Sequence, residues 1–358
     1  MAPSAKDLIS LNALFAQLAN TLHPQIADAQ TFLIRLFGHH SFSFHLSPNW
    51  PHQDIRTALF NSSDLISNAK TDWKVFGLSL SSEQMAELVR PYDCNRYGQI
   101  IAPGLTTEEQ GAATQLAFYD PFAKTLRAYD FDHRIAYVLV CPGHTFAEWE
   151  IFSPLKEFWH YWALFNNALL VHSGVVCQSD QALVILGPGG VGKSTTTLSC
   201  VEYGMQTTGD DFNLLSMTDG HIWVYPLFTT VKTKVGNPLI NTFNCLNRWT
   251  SQDYGAKQKM IYFPKSDDSM WQTTGAEVLA FMEPYWQTQE KSTTNRATPA
   301  MQSTVSAVLQ HPYLGERYLQ RAKAMLALCP SHAVHLSAQP LENVTRIRAL
   351  WKTLGQSQ

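Results

Sequence analysis

The chain has 358 residues, 45% hydrophobic and only 15% charged, with a formal net charge of −3. That length allows two domains or one large one, and the apolar fraction supports a sizeable core. The weak negative balance argues against a polybasic nucleic-acid surface and against a general membrane-binding face. Cys94, Cys141, Cys177, Cys200, Cys245 and Cys329 are scattered, with no C-x-x-C pair. This speaks against zinc and against a disulfide framework. Met1 to Asp7 lacks the charged-then-apolar pattern of a secretory signal. No apolar run of about 18 residues suggests a membrane span. A cytoplasmic protein in a reducing compartment is expected.

Leu8, Leu11, Leu14, Phe15, Leu18 and Leu22 recur at three- and four-residue steps, which predicts helix from residue 7. A second helical segment, Ala27 to Phe37, is expected after Pro24. Ser41 to Leu46 alternates like a strand, and Pro48, Pro51 and Asn61-Ser62-Ser63 mark loops. Trp73 to Leu80 reads as strand and Ser81 to Val89 as a short helix. His39, His40, His45 and His52 match no metal-ligand spacing and read as structural or solvated. Gln115–Tyr119, Leu126–Tyr129 and Ile135–Val140 are strand-like, separated by turns such as Asp120-Pro121. Asp130, Asp132, His133 and Arg134 read as solvated turn chemistry. Trp149, Phe152, Phe158, Trp159, Trp162 and Phe165 suggest an aromatic, core-packing face, with a helix over Leu155–Leu169. Leu170–Val176 and Ala182–Leu186 are strands joined by a hairpin around Ser179-Asp180. Further on, Val224 to Val235 holds short strands. Helices are expected at Gly275–Met282, Ser303–Leu309, Glu316–Leu328 and Leu341–Leu354, with a polar, mobile loop over Gln287–Thr298.

The most informative stretch is Gly187-Pro188-Gly189-Gly190-Val191-Gly192-Lys193-Ser194, which fits G-x-x-x-x-G-K-[ST], the P-loop or Walker A pattern. Such glycines let backbone N–H groups turn inward onto phosphate oxygens, and the following helix adds its positive end. Lys193 then reaches the β/γ-phosphates and the Ser194 hydroxyl ligates Mg²⁺. An apolar run precedes the loop, and Thr195 to Tyr203 reads as a helix ending at Gly204, the context the motif requires. Asp210-Asp211 follow one helix later, 17 residues after Lys193. A Mg²⁺–nucleotide site needs a carboxylate beside the loop hydroxyl, and transfer to a hydroxyl benefits from a carboxylate that takes its proton. The spacing differs from GTPases and partition-type ATPases, whose metal-binding aspartate lies much further on. A guanine-specific N-K-x-D motif is absent, and Pro188 stands where the partition-type loop has an extra lysine.

The order His172-Ser173-Gly174, strand, P-loop, helix, then Gly209-Asp210-Asp211-Phe212-Asn213-Leu214-Leu215 resembles the HPr kinase/phosphorylase superfamily. The closer likeness is to its HPr-kinase-related serine kinase branch. It covers roughly residues 110–355, and Lys257 to Lys265 resembles a basic strand ending in Phe-Pro in those relatives. The resemblance implies a P-loop, α/β nucleotide domain with a mixed sheet, similar to that of phosphoenolpyruvate carboxykinase. It implies ATP as donor, Mg²⁺ as cofactor, and a serine hydroxyl on a protein or peptide as acceptor. Gly187, Gly189, Gly190, Val191, Gly192, Lys193, Ser194 and Thr195 would bind nucleotide. Ser194 and Asp210 would hold the metal, and Asp211 or Asp210 would accept the acceptor proton. His172 would lie near the transferred phosphate; without the family pattern, a lone strand histidine reads as a core residue. Thr195 stands where HPr kinase proper has a glutamate, and Lys232 and Lys234 occupy the region of its arginine signature. The resemblance thus carries no expectation of phosphorylase activity or of HPr as acceptor. Lys232, Lys257 and Lys259 are candidates for phosphate or acceptor contacts. Relatives assemble into oligomers, which implies a homo-oligomer.

The expected organisation is an α+β accessory region over residues 1–110 and the nucleotide domain over 111–358. The expected function is a Mg²⁺-dependent kinase, with no nucleic-acid or membrane partner. Two rivals are a small-metabolite kinase and a non-catalytic, nucleotide-sensing binding module.

Overall fold

The computed structural model describes residues 11–37, 39–64, 70–90, 98–99, 114–254, 259–265, 267–285 and 312–355. Lys257, the expected helix at Ser303–Leu309 and the expected loop at Gln287–Thr298 lie outside them. The protein is α/β, with mixed parallel and antiparallel sheets. It divides into two units: Met1–Arg56, Asn61–Ile151 and Gln310–Leu314 form one, and Thr57–Phe60, Phe152–Leu309 and Gly315–Gln358 the other. No helix among the described residues is long and apolar enough to cross a membrane.

The first unit is built on α1 (Leu11–Ile26), β1 (Gln30–Leu36), β2 (His40–Leu46), the start of α2 (His52–Ala58) and β3 (Ser63–Asp64). It continues with β4 (Trp73–Ser79), α3 (Ser82–Val89), β5 (Gly98–Gln99), β6 (Gln115–Asp120), β7 (Thr125–Asp130) and β8 (Ile135–Val140). The strands form one sheet in the order β3-β1-β2-β4-β8-β7-β6-β5. The β2–β4 and β4–β8 pairs are parallel. Leu14, Leu18 and Leu22 of α1 pack with Leu78 and Leu139 in its core. Ser81 caps α3 by a reciprocal bond pair with Gln84, as serine at that position favours.

Two expectations change here. Ala27–Phe37 is not a helix: β1 occupies most of it, paired to β2 on one side and β3 on the other. Phe32, Leu33 and Ile34 are all buried, a run that suits a strand covered on both faces; so short an apolar run does not separate helix from strand by period. The chain also does not divide at 110/111. The parallel β4–β8 pairing draws β6, β7 and β8 into the first sheet, and the division falls after Ile151.

The second unit opens at the end of α4 (Glu148–Phe152), followed by α5 (Lys156–Phe165), β9 (Ala168–His172), β10 (Gly174–Gln178), β11 (Gln181–Ile185) and α6 (Lys193–Glu202). Next come β12 (Phe212–Thr218), β13 (His221–Tyr225), β14 (Val231–Lys234), β15 (Thr250–Tyr254), β16 (Lys259–Phe263) and β17 (Ala276–Tyr285). The chain ends with α7 (Pro312–Leu328), β18 (Ser331–His335) and α8 (Pro340–Gly355). The main sheet runs β10-β11-β17-β13-β12-β9, with β18 also on β17. β14, β16 and β15 make a small antiparallel sheet.

The segment Gly275–Met282, expected as helix, is most of β17. Alanine, glutamate, leucine and methionine favour helix, but β17 lies between β11 and both β13 and β18. Burial on both faces leaves a near-continuous apolar run, and tertiary pairing overrides local propensity. The expected helix over Leu155–Leu169 ends at Phe165, because Ala168 and Leu169 pair with Ser216 and Leu215.

β9 and β10 lie at opposite ends of the strand order yet are separated along the chain only by Ser173. The sheet thus returns on itself through one extended run. At its centre, a Cβ on Gly174 would stand 2.4 Å from Thr197 Oγ1 of α6. Thr197 is buried and β-branched, so it has little freedom to withdraw. Gly174→Ala is expected to destabilise the protein by about 1–3 kcal/mol through overpacking. That outweighs the ~0.4–1 kcal/mol that such a change gains through the unfolded chain. Urea unfolding measures the difference; equal midpoints would disprove the close approach.

Candidate functional site

The glycine loop leaves the sheet where β11 ends. Leu186 N–H still donates to Met282 O (2.9 Å), continuing the parallel pairing with β17. Gly187, Gly190 and Gly192 then take φ of +149°, +82° and +107°, a region open chiefly to glycine. At Gly187 a Cβ would lie 2.9 Å from Val191 Cγ1, whereas Gly189 and Gly190 face open space. The outer side of the loop therefore presents bare backbone.

α6 begins directly after Gly192, with no acidic residue in its first turn and no side-chain cap. Five of its ten residues are serine or threonine, poor helix formers. Burial of Leu198, Cys200 and Val201 supplies the stability that propensity lacks. Its N-terminal partial positive charge remains uncompensated by any cap. Lys193 is 5% exposed, and its ammonium donates to Gly187 O (2.8 Å) and Pro188 O (3.2 Å). Burial lowers its pKa, while Asp211 and Asp210 pull the other way.

The acidic pair sits on a tightly held turn. Thr207 Oγ1 shares its proton between Val175 O (2.6 Å) and Gly209 O (3.1 Å) and accepts from Gly209 N–H (2.9 Å). Asn213 is fully buried; its Nδ2 donates to Ser173 O (2.9 Å) and its Oδ1 accepts from Thr208 (2.8 Å). Ser173 N–H donates to Asp211 O (3.0 Å). The β9–β12 register places His172 opposite Phe212, the residue after Asp211. Pairing alone therefore brings imidazole and carboxylate together: His172 Nε2 is 3.4 Å from Asp211 Oδ1, and its ring stacks on Phe212.

Lys232, on β14, reaches both acids. Its backbone N–H donates to Asp210 Oδ2 (3.3 Å) and its ammonium to Asp211 Oδ2 (2.5 Å) and Ser153 Oγ (2.8 Å). Burial would raise the Asp211 carboxyl, but Lys232 and then His172 hold it well below the usual range. Asp210 goes the other way: burial and then the Asp211 charge push it up to about 7. Burial also pushes His172 down to about 4, against the pull of Asp211 and with the help of Lys193, Lys232 and Lys259. Near neutral pH the site therefore favours a neutral imidazole and an ionised Asp211, with Asp210 shifted toward its protonated form.

The structure brings Lys193, Ser194, Asp210, Asp211, His172 and Lys232 together. Ser194 Oγ donates to Asp210 O at 3.5 Å. Lys259, opposite Lys234 on β14, acts through its charge on His172, Lys193 and Asp211. Thr195 Oγ1 accepts from Asn237 Nδ2 at 3.3 Å. Ser153, Asn213 and Asn237 escaped sequence reasoning. Only Asn213, two residues past Asp211, carried a nearby signal. Among the described residues no group of three or more His, Cys, Asp or Glu forms a metal cluster. Asp210 Oδ1, however, is buried without a hydrogen-bond partner, and with the Ser194 hydroxyl it offers hard oxygen donors. That set suits a small divalent cation that takes its remaining ligands from a phosphate.

Asp210 makes a signed prediction. Its folded pKa of about 7 lies above the unfolded value of about 3.9, so folding takes up a proton between them. In metal-free buffer this group's contribution falls as pH rises from about 4 to about 7, by at most ~1.4 kcal/mol per pH unit. Asp211 does the opposite, losing stability as pH falls below the ordinary carboxylate range. Unfolding of the protein and of Asp210→Asn is compared from pH 4 to pH 8. The variant is expected to gain relative stability up to pH 7 and then level off; parallel profiles would contradict a protonated Asp210.

No protein-family model matches the chain, and no curated protein matches it.

Proposed function

We propose that the protein is a Mg²⁺-dependent kinase that transfers the γ-phosphate of ATP to a hydroxyl, with a serine of a protein or peptide as the acceptor class. The observation that carries this reading is the convergence of an uncapped glycine loop and Lys193 with two adjacent carboxylates that Lys232 bonds through different atoms, its backbone N–H on Asp210 and its ammonium on Asp211. Environments that drive paired acids apart separate their roles. The P-loop reading of residues 187–194 and the nucleotide-domain resemblance agree with it, as does a partnerless oxygen on Asp210 beside Ser194.

In this mechanism the loop amides and the N-terminus of α6 bind the β- and γ-phosphates. Lys193 exchanges its carbonyl partners for phosphate oxygens, gaining charge compensation as charge shifts during transfer. Ser194 and Asp210 hold the metal, which when bound neutralises phosphate charge. Asp211, kept ionised by Lys232, orients the acceptor hydroxyl and takes its proton. Its depressed pKa makes it a weak base, which suits a loose transition state where the proton leaves late. The neutral His172 lies against Asp211 and adds no charge repulsive to the metal. Thr195 and Asn237 fix the first turn of α6. Lys259 contributes positive potential toward the transferred group.

The test is transfer from labelled ATP to serine peptides and to small alcohols. Lys193→Ala and Asp211→Asn are each expected to lower transfer by at least ~100-fold, with nucleotide binding kept in Asp211→Asn. Full activity in both variants would overturn the assignment. Transfer confined to small alcohols would replace the peptide acceptor by a metabolite. Tight ATP binding without transfer to any acceptor would leave a nucleotide sensor.

A further inference from the structure

A second chemically distinct place lies in the same unit, at the other end of α6. Val201 and Gly204 border a cavity of about 750 Å³ there, within the range of small-molecule sites. Its wall includes Arg248, Arg348 and Lys352, and no aspartate or glutamate. In a chain with 26 basic against 29 acidic residues, three unopposed cations around one cavity depart from the average. Arg348 and Lys352 stand four residues apart on α8, where like charges repel. Arg348 also bonds Tyr203 O at the end of α6, but Lys352 makes no such bond among the described residues, and an anion between the two would relieve their repulsion.

The rest of the wall mixes neutral polar groups, Gln178, Ser179, Gln206 and Ser269, with an apolar part. Trp351, on the same face of α8, is 8% exposed, and its Nε1–H donates to Gln181 Oε1 at 3.2 Å, which fixes the indole. Met205 and Met270 also line the cavity and are nearly buried; thioethers of this kind pack well on aromatic faces. The Arg348 guanidinium donates to Tyr203 O at 2.7 Å, which anchors it at the end of α6. The cavity shares no lining residue with the glycine loop or the acidic pair.

We propose that this cavity is a binding site for a small organic anion with a flat apolar body, its charged group held by Arg348 and Lys352 with Arg248 and its body against Trp351 and the two methionines. The proposal stands whether or not the protein is a kinase.

Two probes that differ in charge test it: 8-anilinonaphthalene-1-sulfonate and the uncharged N-phenyl-1-naphthylamine, each titrated by fluorescence against the full chain. The sulfonate is expected to saturate at one per chain. Arg348→Gln combined with Lys352→Gln is expected to weaken it at least tenfold while leaving the uncharged probe within twofold. Because Arg348 also anchors Tyr203, the exposed Lys352→Gln alone serves as a second variant; it is expected to weaken the sulfonate about threefold with an unchanged circular-dichroism spectrum. Unaltered sulfonate affinity in Lys352→Gln, or binding without saturation, overturns the proposal. Equal losses for both probes overturn it too, since charge would then not be what the cavity reads.

Discussion

Two adjacent aspartates in a largely buried turn pose an electrostatic problem. Burying an unpaired charge is far costlier than any single hydrogen bond returns, so such groups are paired or neutralised. Lys232 resolves it with two different atoms: a backbone N–H for Asp210 and an ammonium for Asp211. The full charge goes to Asp211, which stays ionised, and the weaker donor goes to Asp210, which drifts toward protonation. The asymmetry between the carboxylates thus combines burial and the Asp211 charge, which raise Asp210, with the Lys232 ammonium, which keeps Asp211 ionised. Ser153 completes the arrangement, accepting from the same ammonium while its own hydroxyl lies 3.3 Å from Asp211 Oδ2. Thr230, two residues before Lys232, bonds Phe152 O and holds that segment in reach.

The fold delivers these groups from a single extended run. Its first half, β9, pairs with β12 and brings His172 to Asp211. Its second half, β10, bonds the 206–209 turn through Val175 and Cys177, and pairs with β11, which launches the glycine loop. Gly174 lies between the halves and lets α6 approach. Imidazole, acids and loop thus share one backbone reference, and small errors in one would propagate to the others. Close-packed interiors transmit displacement in this way.

What the sequence disclosed follows the range of the interactions. The glycine loop, Lys193 and Ser194 are legible because their geometry is encoded within eight residues. Asp210 and Asp211 are legible because one helix separates them from the loop. Alternation showed β6, β7 and β8, but not that β8 would join β4, since nothing local in Trp73–Ser79 marks Ile135–Val140 as its partner. Ala27–Phe37 and Gly275–Met282 misled because runs buried on both faces carry no period. Ser153 and Asn237 were invisible: their partners lie 58 and 42 residues away in sequence. Lys232 was noticed as a candidate contact, but its pairing with both acids depends on the small three-stranded sheet, which no spacing rule anticipates.

α6 gathers these themes at its two ends. Its C-terminal end is compensated: Arg348 donates to Tyr203 O, and the Glu202 carboxylate accepts from Asn244 Nδ2 and Cys245 N–H. Its N-terminal end is not, with no capping side chain and no acid in the first turn. An acid there would contribute about 0.3–1 kcal/mol, and a cap about 1 kcal/mol more. Half the helix is serine or threonine, so it had stability to gain. The omission coincides with three glycines at positive φ and with an ammonium folded onto the carbonyls of Gly187 and Pro188. Any acid or cap at this position would occupy amides that the proposed nucleotide phosphates would use. The helix forgoes stability at the end where the proposed function would use its field, while its other side packs in the core with Ile347 and Trp351 of α8 through Cys200.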